Sequence, residues 1–85
     1  MTIEDWRAKI DALDRKLLEL LRERATCVIE VGKIKGERNM QVFDPERERR
    51  IIQNILQENK GPLDEEAVRR IFECVIKEMR RIEEL

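Results

Sequence analysis

Eighty-five residues make at most one domain, and a lone chain of that size buries so little surface that self-association is a natural source of extra core. Charged residues are 44% of the chain, with a net charge of −1 and both signs interspersed, which argues against a nucleic-acid partner and against an acidic tail. There is no apolar run of ~18 residues and no basic leader followed by an apolar core, so no membrane span and no signal peptide are expected and a cytoplasmic location is.

The first predicted element is one long helix. Ile3, Trp6, Ile10, Leu13, Leu17 and Leu20 recur at alternating steps of three and four, followed by Val28 and Val31, and no Gly or Pro intervenes before Gly32. Thr2 is placed to cap it, with Glu4 and Asp5 at the positive end of the helix dipole. From Ile3 to Lys35, at ~1.5 Å per residue, it makes a rod of about 50 Å, longer than a domain of this size is wide. Such a rod calls for a partner.

Two cations interrupt its apolar seam. After Leu20 the next seam position is Arg24, and after Val31 it is Lys35. Eleven residues at ~100° each fall within about 20° of three full turns, so both lie on one face roughly 16 Å apart. A buried cation without a counter-charge costs several kcal/mol, so this pair implies a protein carboxylate or an anionic ligand between them, unless both snorkel at the core's edge. Arg7 lies one position beyond Trp6, ~25 Å along the rod from Arg24 and about 100° around it, out of reach of the same ligand within one chain. Antiparallel pairing of two such rods would bring it toward the middle of the neighbour, giving a two-fold dimer with two composite sites.

Gly36 is expected to end this helix, and residues 36–43 read as a loop with Asn39 suited to a turn. Asp44-Pro45-Glu46 then starts a second helix, with Asp as cap, Pro at the first position and an acid in the first turn. It runs to about Asn59 on an apolar face of Ile51, Ile52, Ile55 and Leu56, and its first turn carries Arg47 and Glu48, whose local reading is a solvated turn with nearby ion pairs. Lys60-Gly61-Pro62 closes it, and Asp64 caps a third helix with Glu65 and Glu66 behind. Val68, Ile71, Phe72, Val75, Ile76, Met79 and Ile82 form a wide core stripe, with Glu83 at its margin, where most carboxylates near a C-terminus face water. The fold class is therefore all-α, three helices in one domain over residues 1–85.

The missing residue types narrow the chemistry. Without His, Ser or Tyr no Ser/His triad or His base can be built, so an enzyme of this composition relies on charge placement, carboxylates and shape. Cys27 and Cys74 stand 47 positions apart with no CxxC and no His, which makes them core thiols in expectation rather than metal ligands. The EVGKIKGE stretch lacks the spacing of a phosphate loop. No metal and no cofactor are expected.

WRAKIDALDRKLLELLRERA, EVGKIK, FDPERERRII and NKGPLDEEAVRRIFECVIKE, in this order and spacing, resemble the all-helical class of chorismate mutase, most closely the mutase domain that begins bifunctional chorismate mutase/prephenate dehydratase proteins. The resemblance covers nearly the whole chain and treats residues 1–85 as a mutase domain, free-standing or cut from a longer protein. It implies an interlocked dimer of three-helix chains that rearranges chorismate to prephenate, toward phenylalanine and tyrosine, without a cofactor. It puts Arg24 and Lys35 of one chain, with Arg7 of the other, around the two substrate carboxylates, and has Lys35 also donate to the ether oxygen whose bond breaks. Asp44, Arg47 and Glu48 match the group that lines the site and holds the ring hydroxyl. Glu83 falls where relatives carry Gln or Glu opposite Lys35, while Met79 replaces a small polar residue.

This activity suits the composition. A Claisen rearrangement is intramolecular and needs no nucleophile or proton transfer, only a folded substrate and donors aimed at the oxygen that grows more negative. Arginine clamps carboxylates with two parallel hydrogen bonds. An ionised Glu83 would repel that oxygen, so Glu83 is expected to be protonated when active. Two rivals stand beside this reading: isochorismate pyruvate lyase, with the same fold and a similar cation set, and a non-catalytic helical dimer that senses chorismate or prephenate.

Overall fold

The computed structural model describes residues 1–84, and every described element is helical. The first helix, α1, spans Ile3–Glu37; α2 spans Pro45–Glu58; α3 spans Glu65–Glu83. Each starts where its cap predicts. Thr2 and Asp5 form a reciprocal capping box, Asp44 accepts from the Arg47 backbone N–H at 3.1 Å, and Asp64 accepts from that of Ala67 at 2.8 Å.

The end of α1 differs from expectation. The helix runs through Gly36 to Glu37, and the left-handed residue that turns the chain is Asn39, at φ 56°. Glycine is tolerated inside a helix at modest cost, whereas the reversal itself needs a residue that accepts positive φ, and Asn does so through its short polar side chain. The Met40 N–H closes the turn on the Lys35 carbonyl at 2.8 Å. Gly61, at φ 78°, does mark the α2–α3 turn, where the Asn59 amide donates to the Leu63 carbonyl at 3.0 Å.

The helices do not form a closed bundle. α3 packs against both α1 and α2, whose backbones nowhere bring Cα atoms within 8 Å of each other, and the chain measures 54 × 23 × 16 Å. Its long dimension is that of α1, since 35 residues rise about 52 Å. Val68, Ile76 and Met79 are buried, all on α3. The seam of α1 is bare: Leu13 is 60% exposed and Leu20 61%, with Ile3, Trp6, Ile10 and Leu17 also exposed.

Both cysteines depart from the expected core placement and are exposed. Cys74 lies two residues, about 200° of helix, from buried Ile76 and so faces away from the packed side of α3. Cys27 lies on the flank of α1 that borders the cavity described below. No helix among the described residues is long and apolar enough to cross a membrane.

Candidate functional site

The eleven-residue spacing of Arg24 and Lys35 brings both to one cavity of about 420 Å³, enclosed by α1, the start of α2 and the end of α3. Asp44, Arg47, Glu48 and Glu83 also line it. Six of the seven residues singled out in the sequence thus share one space. Arg7 is not among the lining residues. Val28, Val31, Ile51, Ile76 and Met79 supply apolar wall, so the charges sit against a background that strengthens them.

Lys35 is the most constrained of these side chains. Its Nζ donates to Glu83 Oε2 at 3.0 Å and to the Val42 carbonyl at 2.9 Å, which uses two of its three protons. The two side chains are only 15% and 11% exposed, so Glu83 does not face water as its terminal position suggested. Gly32 lets α3 come this close: a Cβ there would stand 2.9 Å from the Glu83 carbonyl oxygen and 3.1 Å from its Cγ.

At the other end of the cavity, Glu48 makes no local pair. Both its oxygens accept from Arg80 on α3, at 2.9 Å from Nε and 2.6 Å from Nη2. The Arg80 guanidinium lies 4.5 Å from the centre of the Phe43 ring, a cation–π distance. Its hydrogen bonds to Glu48 hold the guanidinium above its ordinary pKa against the opposing effect of burial, with the charges of Glu48 and Glu84 adding lesser support. Arg80 lines the same cavity and is the site residue that sequence reasoning missed. A signal existed: Ile76, Arg80 and Glu83 are spaced i, i+4, i+7 and share a face of α3.

The electrostatics follow from this pairing. Of four lining cations, Lys35 and Arg80 are matched by Glu83 and Glu48, while Arg24 and Arg47 have no carboxylate within ion-pair distance among the described residues. Two free guanidiniums with apolar walls suit an organic dianion. The cavity offers no hydroxyl or imidazole nucleophile, and its one thiol, Cys27, has no imidazole partner in a chain without His.

Comparison with known proteins decides the family. Residues 6–84 match the family model described as chorismate mutase type II. The chain belongs to that family. It is 51% identical over 71 residues to a bifunctional chorismate mutase/prephenate dehydratase of Pseudomonas aeruginosa, an alignment covering 78% of this chain and 20% of that protein. The corresponding protein of Aquifex aeolicus is 37% identical over 78 residues, covering 87% of this chain and 22% of that one. The chain therefore spans about a fifth of the length of these curated relatives. Among solved structures, a chorismate mutase from Thermus thermophilus superposes with a TM-score of 0.95 at 33% identity, covering 96% of this chain and 93% of that one. The chorismate mutase of Helicobacter pylori in complex with prephenate gives a TM-score of 0.88 at 32% identity, covering 96% and 89%.

Proposed function

We propose that the chain rearranges chorismate to prephenate as a cofactor-free mutase, working as a two-fold dimer in the cytoplasm. The observation that carries the reading is a cavity holding a fixed Lys35–Glu83 pair beside two unmatched arginines, in a member of the chorismate mutase family. In this mechanism Arg24 and Arg47 lie where a dianion would be drawn and folded into the reactive conformer, which removes much of the entropic barrier. Lys35 keeps one proton to donate to the ether oxygen as its bond to carbon lengthens, a contact worth roughly 3 to 4 kcal/mol by analogy with oxyanion holes. Glu83 lies opposite Lys35 at the same oxygen, and Asp44 and Glu48 accept from the ring hydroxyl.

The dimer reading rests on α1. Its bare seam leaves three buried core residues among the described ones, too little for an 85-residue chain by itself. Covering six half-exposed seam side chains gains roughly 1 kcal/mol each, enough to make association the source of stability. Antiparallel pairing of α1 with a second copy carries each Arg7 toward the other chain's cavity, where it joins Arg24 and Lys35 on the substrate carboxylates.

The test is incubation with chorismate, followed by its ultraviolet loss and by identification of the product. Prephenate supports the reading. Chorismate that is bound but unchanged makes the chain a sensor, and pyruvate release from isochorismate without prephenate formation makes it a lyase; either result overturns the mutase.

A further inference from the structure

Arg80 stands where three observations meet. Its forked pair with Glu48, at 2.9 and 2.6 Å, spans 32 positions of sequence and joins the first turn of α2 to the end of α3. Its guanidinium is stacked on Phe43, the residue just before the α2 cap Asp44. It also borders two spaces at once: the 420 Å³ site cavity and a second cavity of about 600 Å³ between α2 and α3, and Glu48 borders both as well. The pair is thus part of the partition between the site and the outer groove.

A carboxylate at the first turn of a helix ordinarily swings among rotamers and bonds nearby backbone or water. Here both oxygens are held by one planar fork, and the ring beneath limits where that fork can lie. The loop that leads into α2 and the end of α3 are therefore fixed relative to each other at the same point. Each Glu48 oxygen retains acceptor capacity beyond the bond it makes to Arg80.

We propose that Arg80 is a positioning residue of this site: it fixes Glu48 and the start of α2 so that the carboxylate presents a ready acceptor to a substrate hydroxyl. This rests on the mutase reading. Arg80 need not touch substrate; it acts through Glu48.

The experiment is a double-mutant cycle in kcat/KM for chorismate, with Arg80→Ala, Arg80→Lys, Glu48→Ala and Arg80→Ala/Glu48→Ala, each checked for helicity and thermal unfolding. Arg80→Ala is expected to lower kcat/KM by about 10- to 100-fold, the cost of a misplacement near 1 Å. Arg80→Lys, which keeps the charge and loses the fork, recovers only part of this. With Glu48 already Ala, removing Arg80 changes kcat/KM less than about twofold. A merely structural arginine would instead lower the melting temperature and reduce activity equally with and without Glu48. Wild-type turnover with an unaffected Arg80→Ala variant, or equal losses in both backgrounds, overturns the proposal alone. A wild-type chain without turnover overturns the mutase reading and this proposal with it.

Discussion

Replacing Gly32 by Ala puts one methyl group where α1 and α3 approach most closely. The added carbon would meet the Glu83 carbonyl oxygen at 2.9 Å and Glu83 Cγ at 3.1 Å, and the carbonyl belongs to backbone, so no rotamer change relieves the contact. Ordinary contact begins near 3.4 Å, which requires the end of α3 to retreat by about 0.5 Å. Such overpacking costs ~1–3 kcal/mol, while Ala in a helix interior returns about 1 kcal/mol over Gly. The net loss is therefore about 0–2 kcal/mol, and at roughly 4–8 °C per kcal/mol for a domain of this size the melting temperature falls by about 16 °C at most. Activity suffers more than stability, because the residue displaced is Glu83, one half of the pair on Lys35. A shift of this size predicts a loss of about 10-fold or more in kcat, with the protein still folded at assay temperature. Thermal unfolding by circular dichroism and steady-state chorismate kinetics measure the two effects separately. A Gly32→Ala protein with wild-type kcat and a raised melting temperature would refute the reasoning, since helix propensity would then have outweighed a contact that placed no constraint on Glu83.

Lys35→Ala should reduce kcat by about 10²- to 10³-fold, read by the same assay, and destabilise the chain by about 1–3 kcal/mol because Glu83 is left largely buried without its donor. Glu83→Gln puts a neutral amide donor opposite Lys35 and is expected to keep kcat within about tenfold of wild type, whereas Glu83→Ala, which leaves nothing opposite Lys35, should lose about 10²-fold; equal losses in the two variants would remove this role. Mixing Arg7→Ala chains with Lys35→Ala chains tests the shared site: each parent is nearly inactive, and the heterodimer regains one good site of two. Heterodimers that form without regaining activity would eliminate the cross-chain assignment of Arg7.

The helices and their starts were legible because the signals are local: Thr2, Asp44 and Asp64 each cap from within three residues. Arg24 and Lys35 were legible as a pair because a helix fixes its own angular geometry, whatever packs on it. Long-range relations were not. Nothing local tells Glu48 to prefer Arg80, 32 residues away, over a neighbour in its own turn, and nothing local tells Glu83 that α1 carries a glycine where the two helices meet. The exposed cysteines and the passage of α1 through Gly36 show the same limit, since local signals mark candidate positions while packing selects among them; the turn at Asn39, by contrast, was legible.

The turn after α1 connects that local chemistry to the site. A lysine on a four-carbon stem carries about 2 kcal/mol of rotamer entropy, which a reaction would have to remove at the moment of binding if the side chain were free. Here the cost is met in the folded chain. Asn39 reverses the backbone, the Met40 N–H fastens on the carbonyl of Lys35 itself, and three residues from the reversal the Val42 carbonyl accepts from Nζ. The ammonium is thus anchored by one oxygen from the following loop and one from α3, on separate elements, so neither can move it alone. Catalysis by electrostatic preorganisation needs a donor whose position does not depend on the substrate. On the proposed mutase reading, that independence begins with a left-handed asparagine four positions after the lysine, so the loop holds the donor in place as well as connecting α1 to α2.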